Sequence, residues 1–105
     1  MKRNKYGAKK TVVDGIKFDS KRESERYKEL KLLEKAGEIS DLCLQVRYDF
    51  EINGVKLGFY KADFVYWDVN NQRSVVEDVK GFKTPVYNLK KKLMIALRGI
   101  DILET

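Results

Sequence analysis

The stretch from Leu42 to Ile52 restricts the possible folds more than any other part of the sequence. Its even-numbered residues are apolar and its odd-numbered residues are mostly polar. Because side chains alternate between the two faces of a strand, this pattern predicts a β-strand with one buried face. Asn53-Gly54 follows directly and is a strong signal for a tight turn, so we expect the chain to fold back antiparallel.

Two further strands are predicted after that turn. Residues 58–69 are rich in aromatic and β-branched side chains and end at Asn70-Asn71, a turn signal. Residues 74–80 are rich in valine, which suits a pleated, half-buried surface. Three antiparallel strands joined by tight turns make a meander. A smaller hairpin is predicted at residues 11–18, with its turn at Asp14-Gly15.

One helix is expected before the meander and one after it. The first has Ser20 as its N-cap, runs to about Ala36 and stops at Gly37. The second begins at Thr84, which precedes a proline at the first helical position, and closes at Gly99. Each helix therefore has start and stop signals of its own.

The order of the elements predicts the sheet topology. Residues 100–103 form a short apolar strand, and the crossover from strand 74–80 through the second helix should make the last strand pair parallel and right-handed. The expected fold is an α/β (α+β) mixed sheet with a helix, a three-strand antiparallel meander, a crossover helix and a parallel last strand. We expect residues 1–10 to form a basic N-terminal arm and residues 11–105 a single domain.

Three charged side chains are expected on one face of the two inner strands. Asp78 and Lys80 lie at i and i+2 of one strand. If Asn70-Asn71 is a two-residue turn, Asp63 lies opposite Asp78, whereas a four-residue loop places it opposite Lys80. Two carboxylates on paired strands repel each other, so a divalent cation between them, flanked by Lys80, is the natural candidate. Glu77 points the other way, and we expect its replacement to have only a mild effect.

Composition limits the chemistry of this site. The 105 residues contain no histidine, which excludes Ser-His-Asp and Cys-His catalysis and histidine-bound zinc. The single cysteine, Cys43, allows neither an internal disulfide nor a cysteine metal cluster. Any metal must therefore be held by oxygen ligands, which indicates Mg²⁺ or Mn²⁺.

The charge balance indicates a polyanionic partner. The formal net charge is +6. Lys83 and Lys90 lie around the crossover helix, with Tyr87 between them, and Lys9 and Lys10 lie in the N-terminal arm; we expect all five to contact DNA. The sequence contains no signal peptide pattern and no apolar run long enough to span a membrane, so a cytoplasmic location is expected.

Glu23 has two interpretations. With Ser20 it fits a capping box, in which its side chain reaches back to the start of the helix. It also shares one helical stripe with Tyr27 and Leu30, so its carboxylate could instead reach toward the carboxylate pair. The spacing alone favours the capping box, and both interpretations can hold if the side chain turns inward.

Taken together, these residues resemble the PD-(D/E)XK nuclease superfamily. The resemblance runs from the helix with Glu23 through Ala62-Asp63 and Asp78-Val79-Lys80 to the crossover helix, with Ala62 replacing the proline of the motif. Segments 18–23 and 80–87 are similar to a family of small phage-encoded proteins of uncharacterised role. The size and element order are similar to those of archaeal-type Holliday junction resolvases, which implies a restriction-endonuclease-like core.

The resemblance implies a role for each residue. Asp63, Asp78 and the backbone carbonyl of Val79 would ligate Mg²⁺, with Glu23 as a direct or water-mediated ligand. Lys80 would orient and help deprotonate the attacking water and offset charge in the transition state. Gln45 resembles a glutamine of some superfamily members, which implies that it supports a ligand or contacts DNA, although its strand position also suits an ordinary surface residue.

Three functional hypotheses follow. The leading one is a metal-dependent DNA endonuclease of phage replication or recombination. A chain this short has no room for a separate recognition domain, so we expect it to read DNA shape, such as a branch or junction. A resolvase that cuts two strands symmetrically would be a homodimer. The alternatives are a non-catalytic DNA-binding protein on a nuclease-like fold, and a small domain in which Asp78 and Lys80 form a structural ion pair.

Overall fold

A computed structural model describes residues 10–80 and 82–105. It contains a mixed α/β arrangement, as predicted. The elements are β1 (Thr11–Val13), β2 (Ile16–Phe18), α1 (Lys21–Lys35), β3 (Ile39–Ile52), β4 (Val55–Asp68), β5 (Arg73–Asp78), α2 (Pro85–Arg98) and β6 (Leu103–Glu104). β1 and β2 form a separate hairpin, and the main sheet has the order β3-β4-β5-β6.

The strand directions also agree with the predicted topology. β3, β4 and β5 pair antiparallel in turn, and β6 pairs parallel to β5 after the crossover through α2. Asp14-Gly15 and Asn53-Gly54 both have two positive φ angles in succession, as type I′ turns require. Most of the predicted basic arm, including Lys9, lies outside the described residues, and Lys10 is exposed.

The helices begin and end at the predicted residues. The hydroxyl of Ser20 accepts a hydrogen bond from the Glu23 amide at 3.1 Å, and α1 ends at Ala36 before Gly37. Thr84 caps α2 in the same way, and Gly99 ends it in the left-handed conformation with φ 64°. No helix within residues 10–80 and 82–105 is both long enough and apolar enough to cross a membrane.

Two hydrophobic cores lie on opposite faces of the sheet. Val75 and Val76 are neighbours on β5, so their side chains point to opposite faces, and each packs in a different core. We call them the α1 core and the α2 core. The α1 core contains Phe18, Tyr27, Leu30, Ile39, Phe64 and Tyr66. The α2 core contains Phe50, Tyr60, Ala62, Val76, Tyr87, Met94 and Ile102.

The long strand β3 does not keep one buried face, which corrects the prediction from its alternating sequence. Leu44 packs against the α1 core, whereas Tyr48 packs against the α2 core, although both are even-numbered. The β3–β4 ladder stays in register through this region, so both strands change sides together. Gln45 lies at the change and has φ 54°, a left-handed conformation that a regular strand does not contain. The inversion therefore results from the local backbone at Gln45.

Glu77 is fully buried in an ion pair that joins β5 to α1. Its carboxylate accepts hydrogen bonds from Arg26 Nε at 2.7 Å and Arg26 Nη2 at 2.9 Å. The hydroxyls of Tyr66 and Thr105 donate to it as well, at 2.8 Å and 3.0 Å. Glu77 points away from Asp78, and its ion pair is a structural role that the sequence did not reveal; the milder functional effect expected of its replacement remains a prediction.

We therefore predict that breaking this pair destabilises the fold strongly. Arg26→Ala leaves a carboxylate of 0% exposure without its charged partner, and should lower the free energy of unfolding by about 3–5 kcal/mol. Urea unfolding followed by circular dichroism measures the effect. Glu29→Ala is the control, because Glu29 pairs with the same arginine at 63% exposure and should cost less than about 1 kcal/mol. Equal effects of the two substitutions would contradict the prediction.

Candidate active site

The β4–β5 hairpin brings Asp63 and Asp78 side by side. Phe64 pairs with Glu77 in the ladder, so Asp63 and Asp78 occupy the next opposed positions. This is the register expected from a two-residue turn at Asn70-Asn71. The two carboxylates lie where β5 ends, at the boundary between the two cores.

Asp63 is held by two donors. The amide of Val79 donates to its Oδ2 at 2.9 Å, and Gln45 Nε2 lies 3.3 Å from its Oδ1. Burial, followed by the charges of Asp78 and Glu23, raises the pKa of Asp63 to about 7. Burial and the neighbouring negative charges thus favour the protonated form of Asp63.

Asp78 is 2% exposed and only partly satisfied. Tyr60 donates its hydroxyl hydrogen to Oδ2 at 2.5 Å. The other oxygen, Oδ1, is buried, and no group in the described part of the chain hydrogen-bonds to it. Lys80 Nζ lies 3.2 Å from Oδ1, which is close enough for an ion pair, but it is not aligned for a hydrogen bond. Asp78 Oδ1 therefore has a charge beside it and no donor.

Tyr60 is a site residue that the sequence did not reveal. Burial, reinforced by the bond to Asp78, raises the pKa of its hydroxyl, so it remains a donor at neutral pH. In a regular strand Tyr60 and Asp63 would face opposite sides, because they are three residues apart. The sheet inversion at Gln45 removes that separation, and nothing in the alternation of the sequence marks it.

Glu23 satisfies part of each interpretation. Its amide completes the helix cap, while its carboxylate is 8% exposed and accepts a hydrogen bond from Gln45 Nε2 at 3.1 Å. Burial and the charges of Asp19 and Asp78 raise its pKa, against smaller opposing effects of Lys80 and Gln45. Gln45 thus links Glu23 to the aspartate pair, although its predicted contact with DNA remains a prediction.

Tyr87 has a structural role beside the site, and its predicted DNA contact remains a prediction. Its side chain is 6% exposed in the α2 core, and its hydroxyl donates to Glu104 at 2.9 Å. The ring instead supports Lys80, whose Nζ lies 4.4 Å from the ring centroid. Lys83 pairs with Glu104 at 3.1 Å and is half exposed, and Lys90 lies over Phe59. DNA contacts of Lys83, Lys90 and Lys10 remain predictions.

The carboxylates open into a pocket of about 260 Å³. Its wall combines Asp63 and Asp78 with three lysines, Lys61, Lys80 and Lys90. A larger pocket of about 560 Å³ lies between α1 and the β1–β2 hairpin, away from these groups. The smaller pocket is the better candidate for catalysis, because a functional site needs converging reactive groups more than volume.

A comparison with known protein families assigns the chain to one of them. Residues 3–100 match the family described as "Protein of unknown function (DUF1064)". The chain belongs to the DUF1064 family. Searches of curated proteins and of solved structures returned no match.

The carboxylates of this DUF1064 chain fit a hard divalent cation that needs only one or two protein ligands. Within residues 10–80 and 82–105, no three acidic or cysteine side chains are arranged to hold a metal ion. Mg²⁺, however, is often bound by one or two carboxylates while it keeps several waters. Asp63 and Asp78 supply such a pair, and Asp78 Oδ1 is a buried acceptor without a donor. Glu23 lies behind Gln45, which suits contact through water, and the Val79 carbonyl remains a predicted ligand.

We predict that Asp63 destabilises the metal-free protein at high pH. Its pKa of about 7 lies above the ordinary value of 3.8, so the folded protein binds more protons than the unfolded chain between these values, and stability falls as the pH rises through them. Asp63→Asn removes this slope and should raise the free energy of unfolding at pH 8 by about 1–3 kcal/mol. Urea unfolding in EDTA at pH 5 and pH 8 measures the difference.

The control for this prediction is Asp101→Asn. Asp101 is exposed, so its substitution should leave the pH dependence of stability as in the parent protein. A parent protein that is equally stable at pH 5 and pH 8, or an Asp63→Asn variant with the parent's slope, would contradict the prediction.

Proposed function

We propose that this DUF1064 protein is a metal-dependent nuclease that hydrolyses phosphodiester bonds in DNA. The proposal includes Mg²⁺ or Mn²⁺ as cofactor and DNA of branched or otherwise distorted shape as substrate. The homodimer that a symmetric junction substrate would need belongs to the same proposal. The resemblance to PD-(D/E)XK nucleases is part of its support, and the geometry around Asp78 is the other part.

The contrast between two neighbouring carboxylates carries the proposal. Glu77 accepts four hydrogen bonds, two from Arg26 and one each from Tyr66 and Thr105. Asp78, almost as deeply buried, accepts one from Tyr60, and no group among residues 10–80 and 82–105 hydrogen-bonds to its Oδ1. Structural carboxylates in a protein interior are normally satisfied like Glu77. An unsatisfied buried carboxylate beside a second one and a lysine is typical of a functional site.

The side chains around Asp78 suit phosphodiester hydrolysis. Bound between Asp63 and Asp78, a divalent cation would polarise the scissile phosphate and lower the pKa of an attendant water. Lys80, supported by the Tyr87 ring, carries a positive charge into the same pocket, where it can orient the water and offset the negative charge that develops on the phosphate. Tyr60 and the Val79 amide each fix one carboxylate, so little reorganisation is needed during reaction.

The same contrast argues against Asp78 and Lys80 being only a structural ion pair. A pair in which one carboxylate oxygen is buried without a hydrogen bond stabilises poorly, because burial of the charge is only partly compensated. A non-catalytic DNA-binding protein would retain the lysines without needing Asp63 and Asp78 beside each other. Cleavage assays separate these alternatives from the nuclease.

We expect cleavage to require the metal and Asp78. Labelled four-way junction, flap, duplex and single-stranded DNA would be incubated with Mg²⁺, Mn²⁺ or EDTA. Asp78→Asn keeps the side-chain size and the acceptor for Tyr60 but loses the charge, and Lys80→Gln loses the ammonium; each should reduce cleavage about 100-fold or more. Asp101→Asn is the control and should cut normally. Tight binding without cutting under any metal would favour the non-catalytic alternative.

Tyr60 provides a second test of the site. Tyr60→Phe keeps the buried ring and removes the single donor to Asp78, so the variant should fold and lose about 1–2 kcal/mol of stability or less. The misplaced carboxylate should lower the cleavage rate about 10-fold and raise the Mg²⁺ concentration needed for half-maximal rate. Tyr48→Phe is the matched control, because Tyr48 lies directly opposite Tyr60 in the ladder. An unchanged dependence of the cleavage rate on Mg²⁺ in Tyr60→Phe would show that Tyr60 does not position the Asp78 carboxylate.

A further inference from the structure

Phe59 has an exposed aromatic ring with two cationic side chains close to it. It is 38% exposed, whereas its neighbour Tyr60 is 3% exposed in the α2 core. The guanidinium carbon of Arg47 lies 3.9 Å from the Phe59 ring centroid, and Lys90 Nζ lies 5.3 Å from it. Arg47 is fixed in turn by Asp49, whose Oδ1 accepts from its Nε at 2.9 Å. The ring thus lies on the surface beside two cations, one of which is paired with an exposed carboxylate.

A β-bulge sets the position of this ring. Phe50 pairs with Gly58 but Glu51 pairs with Lys56, so Leu57 is an extra residue in β4. Gly58 has φ 120°, which favours glycine, and no atom lies within 4 Å of the position that a Cβ would occupy. Bulges beside active sites redirect side chains. The backbone before Phe59 therefore departs from the regular ladder.

Phe59 also connects the active site to a second pocket. It lines the pocket of about 260 Å³ that holds Asp63 and Asp78. It lines a neighbouring pocket of about 380 Å³ as well, whose wall also holds Arg47, Lys56 and the carboxylates of Asp49 and Glu51. Asp63 follows Phe59 by four positions along the strand, a span of about 13 Å. A polymeric ligand bound at the two carboxylates can therefore also contact the Phe59 ring.

We propose that Phe59, with Arg47 and Lys90, is a stacking platform for an unpaired DNA base near the scissile phosphate; the proposal rests on the nuclease function given above. Aromatic rings and arginine planes flanked by cations are the groups on which single-stranded bases stack. Lys90 and Lys61 would contact the phosphates on either side of that base.

The platform favours DNA with an unpaired nucleotide over fully paired DNA. Inside a duplex each base is stacked on its neighbours, so a base must leave the stack before an outside ring can contact it. A flap or a junction of single-stranded and duplex DNA supplies such a base without that cost. The preferred substrate is therefore a branch that carries a single-stranded arm, and a junction with all its bases paired should bind less well.

Fluorescence of 2-aminopurine in the unpaired arm tests this directly. The DNA is a flap with 2-aminopurine beside the branch point, and a nicked duplex of the same sequence is its paired counterpart. Binding is measured in the Asp78→Asn background, so that the DNA is not cut. Phe59→Leu keeps an apolar side chain without the ring, Phe59→Trp keeps an aromatic face, and Trp67→Leu is the matched control, since Trp67 is 40% exposed on the same strand.

We expect Phe59→Leu to weaken binding of the flap roughly 10-fold and to abolish quenching of 2-aminopurine. Phe59→Trp should retain both, Trp67→Leu should behave like the parent, and affinity for the nicked duplex should change less than about twofold. Equal weakening of flap and duplex, or full flap affinity in Phe59→Leu, would overturn the platform.

Cleavage assays with Asp78 intact separate this inference from the nuclease proposal. If the parent cuts DNA and Phe59→Leu keeps the same preference for flap over duplex, the platform is wrong and the nuclease stands. If the parent neither binds nor cuts any DNA with Mg²⁺ or Mn²⁺, both are wrong. A loss of flap preference in Phe59→Leu, with duplex cleavage unchanged, supports both.

Discussion

The rest of the structure depends on the buried ion pair between Arg26 and Glu77. It joins α1 to β5 through two hydrogen bonds at 2.7 and 2.9 Å, with Glu77 fully buried and the Arg26 side chain 22% exposed. Arg26 follows Glu23 by about one helical turn, and Glu77 immediately precedes Asp78. The pair therefore helps to fix the distance between the carboxylates of Glu23, on α1, and Asp78, on β5. A buried ion pair adds little net stability compared with apolar packing, but it specifies one arrangement where apolar contacts would allow several.

The second constraint is the change of side at Gln45. Without it, β3 and β4 would present one face along their whole length, and the residues around Asp63 would belong to one core only. With it, the far half of the hairpin packs on α2 while the near half packs on α1. Asp63 lies at the point of change, and Gln45 itself bonds both Glu23 and Asp63. The residue that permits the inversion thus also holds two of the site's carboxylates together.

Most of the fold could be predicted from sequence because its signals are local. Turn residues such as Asn53-Gly54 and caps such as Ser20 act through neighbouring backbone atoms, and the register of Asp63 with Asp78 follows from the turn. The remainder depends on contacts between distant residues. The sequence did not reveal the contacts of Tyr60, Tyr87 and Arg26, because their partners lie on other elements. The identity of such partners depends on tertiary packing, which alternation along one strand does not record.

The division into two cores has a consequence for how the molecule opens. Each helix covers its own face of the sheet, so a local fluctuation can detach one helix while the other remains packed. The carboxylates lie at the boundary, and their partners come from both sides: Glu23 from the α1 side, and Tyr60 from the α2 core. The assembled site therefore exists only while both halves are closed. Its amide protons should exchange with solvent at the rate of the less stable half, however stable the other half is.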